Sequence, residues 1–94
     1  MDMRALMKQA QKMQQKMQEE IAGLRVEASA GGGMVTVTMA GNHELVAVKI
    51  APDVVKTGDA EMLEDLVRAA VNEANRKIEA SLADKMSGLR LPGF

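Results

Sequence analysis

Ninety-four residues with a formal net charge of −1 make one small domain whose core is limited in size. Phe94 is the only aromatic residue and cysteine is absent, which removes disulfide frameworks, thiolate chemistry and a large aromatic core. No apolar run approaches the roughly 18 residues of a membrane span and the start lacks the apolar segment of a signal peptide, so a soluble intracellular protein without a membrane partner is expected.

Residues 2–23 read as one amphipathic helix. Met3, Leu6, Met7, Ala10, Met13, Met17 and Ile21 recur in steps of three and four, which places them on one face. Arg4, Lys8, Lys12 and Lys16 recur every four residues. At about 100° per residue each step drifts by about 40°, so the four cations form a slowly winding stripe roughly opposite the apolar one. Gln9, Gln11, Gln14, Gln15 and Gln18 fill the space between, as good helix formers without charge. Only Asp2 opposes the four cations within residues 1–18, a net +3 on a chain that is −1 overall. A local field of that kind guides charged partners. The same pattern also serves as the solvated face of a coiled coil. Gly23 is a natural residue to end the helix.

The period then changes. Residues 24–30 alternate apolar and polar, the pattern of a strand with one buried face. Gly31-Gly32-Gly33 predicts a tight turn, since glycine supplies the positive φ such turns need. A phosphate loop would continue into Gly-Lys-Ser/Thr, whereas Met34-Val35 follow. Residues 34–40 form a second strand, with Val35, Val37 and Met39 on one face and Met34, Thr36 and Thr38 on the other. Ala40-Gly41-Asn42-His43 is turn chemistry centred on Gly-Asn. Residues 44–50 form a third strand, with Val46, Val48 and Ile50 inward. Together the strands predict an antiparallel meander whose outer face (Thr36, Thr38, Ala47, Lys49) is only weakly polar. His43 is the sole histidine, and no second histidine or cysteine completes a metal set, so it reads as a solvated turn residue.

Pro52-Asp53 ends the sheet, and residues 51–58 read as a connector. Asp59 is a credible N-cap for a helix over residues 59–86, with Glu61, Glu64 and Asp65 suiting its positive dipole end. Leu63, Leu66, Val67, Ala70, Val71, Ala74, Ile78 and Leu82 make its apolar stripe. Glu64–Arg68 and Glu73–Lys77 have the spacing of acid-first i,i+4 pairs. Residues 59–94 carry five cations and seven carboxylates, net −2, so this helix suits a polyanion less well than the first. Arg76, Lys77 and Lys85 are secondary candidates for such contacts. Gly88 can end the helix, and the tail over residues 88–94 is apolar enough to dock on the body.

The order is therefore α-β-β-β-α, an α+β domain over residues 1–94 in which two long helices flank a three-stranded meander. At about 1.5 Å per helical residue and about 3.4 Å per strand residue, helices of more than 20 residues overhang strands of six or seven. Overhanging apolar stripes predict a homodimer. Methionine, present nine times, packs adaptably but specifies shape weakly, which points the same way.

Several segments resemble a known family. Met7-Lys8-Gln9-Ala10-Gln11-Lys12-Met13-Gln14 resembles the opening helix of the YbaB/EbfC family of bacterial nucleoid-associated DNA-binding proteins. Gly32-Gly33-Met34-Val35-Thr36-Val37-Thr38-Met39-Ala40-Gly41 is similar to its second strand and turn. Glu61-Met62-Leu63-Glu64-Asp65-Leu66-Val67-Arg68-Ala69-Ala70, Asn72-Glu73-Ala74 and Lys85-Met86 resemble its last helix, and Leu91-Pro92-Gly93-Phe94 its tail. The match runs in order along nearly the whole chain, without the short Gly-rich extension that many members carry before the helix. The resemblance implies a cytoplasmic, nucleoid-associated homodimer with a tweezer-like outline that binds DNA, organises the nucleoid and regulates genes, with no enzymatic activity, cofactor or small-molecule substrate.

The residues agree with that implication. No nucleophile–base pair, metal cluster or nucleotide loop stands out. Arg4, Lys8, Lys12 and Lys16 would contact phosphates of duplex DNA with little sequence readout. No aromatic residue interleaves them, so stacking on single strands is not expected. A pI of about 5.8 predicts modest affinity with strong salt sensitivity. The alternative is a protein-interaction module whose amphipathic first helix pairs with another helix, its cations merely solubilising it.

Overall fold

The computed structural model describes residues 2–88 of the chain, in the order α1 (Met3–Gly23), β1 (Arg25–Ala30), β2 (Val35–Ala40), β3 (Leu45–Ile50), α2 (Pro52–Thr57) and α3 (Ala60–Gly88). The apolar tail expected beyond Gly88 lies outside the described residues. The three strands form one antiparallel sheet in the order β1-β2-β3, as their alternation predicts. One segment departs from expectation. Residues 51–58 are not a plain connector but contain α2, with Pro52 in its first turn, Asp53 at the positive dipole end and Gly58 as a left-handed stop (φ +68°). Each is an ordinary helix boundary signal, here bracketing a helix of only six residues.

The core lies between the sheet and α3. Ala28 from β1 and Val35, Val37 and Met39 from β2 meet Ala70, Ala74 and Ile78 from α3. Two alanines at the contact let the helix axis settle close to the sheet. Val54 of α2 is also buried, and Ala51 donates its N–H to the Met34 carbonyl, which ties α2 back to the sheet. Met62 donates its N–H to Asp59 Oδ1 at 3.0 Å, confirming Asp59 as the cap of α3.

Two turns depend on glycine for different reasons. Gly31, Gly32 and Gly33 all have positive φ, and a Cβ at Gly31 would also press on Leu66 of α3. In the β2–β3 turn the left-handed residue is His43 (φ +67°), not the Gly-Asn pair. Gly41 is needed instead for close approach, because a Cβ there would overlap the Ile21 carbonyl at the end of α1. The Gly41 N–H donates to the Leu24 carbonyl at 3.1 Å, so this contact fastens α1 to the sheet. Gly23 is the last residue of α1 rather than a left-handed cap, and the chain leaves through Leu24 in extended backbone.

β3 is where the expected core is incomplete. Val48 lies opposite Val37 and Ile50 opposite Val35, on the face that α3 covers elsewhere, yet every residue of β3 is exposed. A bulge beside Met39 sets Leu45, not Val46, opposite it and leaves Val46 as the extra residue. The reason is width. A helix about 10–12 Å across covers roughly two strands spaced about 4.8 Å apart, and α3 packs on β1 and β2.

Candidate functional site

α1 begins at Asp2, whose Oδ1 accepts the Arg4 N–H at 3.1 Å. It then runs without glycine, proline or a β-branched residue until Ile21, a composition that sustains a helix with little tertiary help. It receives little. No described residue of α1 is buried, and its contact with the body is at its end, against β2. At about 1.5 Å per residue its 21 residues project for roughly 32 Å.

Arg4, Lys8, Lys12 and Lys16 are all exposed on this arm, and none makes an ion pair or a side-chain hydrogen bond among the described residues. The stripe spans about 18 Å from Arg4 to Lys16. Its charges oppose what the helix dipole favours. The first turn holds no acidic residue and the last no basic one; the order runs from Arg4 to Glu19 and Glu20. Charges at a helix end contribute about 0.3–1 kcal/mol each, and these have the unfavourable sign. Helix stability therefore does not account for the stripe.

α3 treats its cations differently. Arg68 pairs with Asp65 at 2.6 Å and Arg76 with Glu73 at 2.7 Å, both at i,i+3. The predicted pairs Glu64–Arg68 and Glu73–Lys77 do not form; the shorter spacing lets the fork of each guanidinium close on a carboxylate one turn back. Lys77 instead donates from Nζ to the Glu27 carbonyl at 2.7 Å, across to the edge of β1. Of the three secondary candidates, Arg76 and Lys77 are thus engaged within the domain, while Lys85 is exposed in the last turns of α3. The Lys77 contact was hidden from sequence because its partner lies 50 residues away and is a main-chain atom. Arg25 is likewise engaged, donating from Nη1 to the Ala22 and Leu24 carbonyls at the end of α1.

His43 is exposed, as expected, but tied. Its Nδ1 lies 3.0 Å from Asn75 Oδ1 of α3, linking the β2–β3 turn to the helix. Among the described residues no three His, Cys, Asp or Glu side chains gather as a metal would require. No described helix is long and apolar enough to cross a membrane.

The sequence pattern of the YbaB/EbfC DNA-binding family matches residues 1–93. A protein of Koribacter versatilis named as nucleoid-associated is 46% identical over 93 residues, covering 95% of this chain and 92% of its own length. A nucleoid-associated protein of Brucella ovis is 46% identical over 101 aligned positions, covering 99% of this chain and 94% of its own. The fold is also that of an uncharacterized Helicobacter pylori protein known from a crystal structure, with a TM-score of 0.75 at 23% identity, over 95% of this chain and 97% of that one.

Proposed function

This chain belongs to the YbaB/EbfC DNA-binding family, and from that premise we propose that it binds duplex DNA as a homodimer through α1, mainly by phosphate contacts. It acts in the cytoplasm, on the nucleoid, as an architectural protein that organises DNA and thereby influences gene expression. The family is a DNA-binding one rather than a known enzyme family. The observation that carries the proposal is the contrast in cation use: Arg4, Lys8, Lys12 and Lys16 are exposed and unpaired among the described residues on a projecting helix, whereas Arg68, Arg76 and Lys77 have partners in the domain. Flexible lysines meet phosphates as point charges, which gives affinity without base readout.

A duplex titration at several salt concentrations tests this. If all four cations of both arms engage phosphates, log K falls with log salt at a slope of about −7, and at about half that if one arm engages. Unrelated duplexes should bind alike. A flat salt response would favour the interaction-module alternative, in which the cations only keep α1 in solution.

A further inference from the structure

The cation stripe uses one face of α1 and leaves the opposite face without a task. Four of the seven apolar positions there are methionine: Met3, Met7, Met13 and Met17. A methionine stripe at helical spacing ordinarily packs into a core, as Met39 does at 2% exposure. Here the four are 72%, 61%, 69% and 44% exposed, in chain order. Burial within the described chain therefore does not account for them. They fall into two pairs, Met3–Met7 and Met13–Met17, each four residues apart. At about 100° per residue all four lie within an arc of about 120°. Residues at i and i+4 hold their Cβ atoms about 5–6 Å apart, and methionine's flexible side chain lets the two sulfurs turn toward each other. Two metal–sulfur bonds of about 2.3 Å in line span about 4.6 Å, within that reach.

We propose that each pair is a binding site for a soft monovalent cation, copper(I) or silver(I), held between two thioether sulfurs. The donor set decides the metal. Thioethers select copper(I) and its like, whereas zinc, calcium and magnesium take imidazole, thiolate or oxygen donors. The arm offers those harder metals little. α1 contains no histidine, cysteine or aspartate, and its only carboxylates, Glu19 and Glu20, come after the second pair. Asp2, just before the helix, accepts the Arg4 N–H as its cap. The cations of α1 oppose the charge of a bound metal, but weakly. They lie across a helix about 10–12 Å wide, beyond the Debye length of about 8 Å at physiological salt. A thioether is also uncharged, so binding there releases no proton, unlike binding to a thiol. The sites lie on the face opposite the phosphate stripe and stand independently of the DNA-binding proposal.

Silver nitrate in chloride-free buffer is the probe, followed by NMR of isotope-labelled methionine methyl groups in the full chain, with no DNA present. The Met3, Met7, Met13 and Met17 resonances should move at micromolar silver, and that of the buried Met39 should not. Zinc nitrate should move none of them. Met7→Leu should weaken silver binding at Met3 by roughly tenfold or more, since a lone donor loses the chelate, and should leave Met13 and Met17 as they were. Met13→Leu should do the reverse. Leucine is close to methionine in size and helix propensity, and both positions are exposed, so these variants should fold. A register change separates spacing from the mere number of methionines. Met17→Gln with Gln18→Met keeps all nine methionines but swings the thioether by about 100° round the helix, and should weaken binding at Met13. Unmoved α1 resonances, equal binding with one methionine of a pair or two, full binding in the register variant, or an equal response to zinc would each overturn the inference.

Discussion

α1 and α3 are both long helices of similar apolar periodicity, yet one is built to be held and the other to project. α3 has Glu61 in its first turn and Lys85 in its last, Asp59 as its cap, and Ala70, Ala74 and Ile78 fully buried. Its local electrostatics, capping and packing all favour the same helix. α1 keeps only the cap. Its charges run against the dipole and none of its described side chains is buried. Where local rules are broken without compensation in the domain, function is the expected reason. The contrast teaches that a helix's cations are informative only once their partners are known: Arg68 and Arg76 serve carboxylates one turn back, and those of α1 do not.

The contrast is sharpest in stability. Ile78→Ala removes a fully buried side chain and should cost about 2–5 kcal/mol in denaturant unfolding. Met13→Ala, on a side chain 69% exposed, should stay within about 0.5 kcal/mol of the natural chain by the same measurement. Equal losses at the two sites would mean that α1 is packed in the folded protein.

Gly41 joins the two parts. Gly41→Ala drives a methyl group into the Ile21 carbonyl and should cost about 1–3 kcal/mol, with amide exchange faster at the last turn of α1 than in α3. A neutral result would show that the arm is not fastened there. A smaller effect separates stability from binding. Arg4→Glu should stabilise the first turn of α1 by about 0.3–1 kcal/mol, seen as slower amide exchange, while weakening DNA binding. If both properties improve together, Arg4 has no role toward phosphate.

Much of this arrangement was legible from the chain. The 3.6-residue stripes of both helices and the alternation of the three strands gave their order, because each period is fixed by the local backbone whether or not the apolar face is then covered, as it is in α3 and is not in α1. The Asp59 cap was legible for the same local reason. The bareness of β3 was not: Val48 and Ile50 alternate like any core strand, and the width of α3 decides that the chain's own helix leaves them uncovered. α2 was missed because six residues carry too little periodicity, although Pro52 and Gly58 marked its ends. The α1 stripe was plain in sequence, but that its cations lack partners among the described residues while Lys77 has one required the distance across to Glu27.

The central claim is that DNA is held by α1 and not by α3. Two variants of equal charge decide it in duplex titrations across salt: Lys8→Gln, Lys12→Gln, Lys16→Gln on α1, and Arg68→Gln, Arg76→Gln, Lys77→Gln on α3. Glutamine keeps helix propensity close to that of lysine and arginine. Two copies of the α1 variant remove up to six phosphate contacts, so the slope of log K against log salt should shrink by up to about 5 units, alike on unrelated sequences. The α3 variant should shift it by less than about 1 unit. A slope that holds in the α1 variant and collapses in the α3 variant would contradict the account.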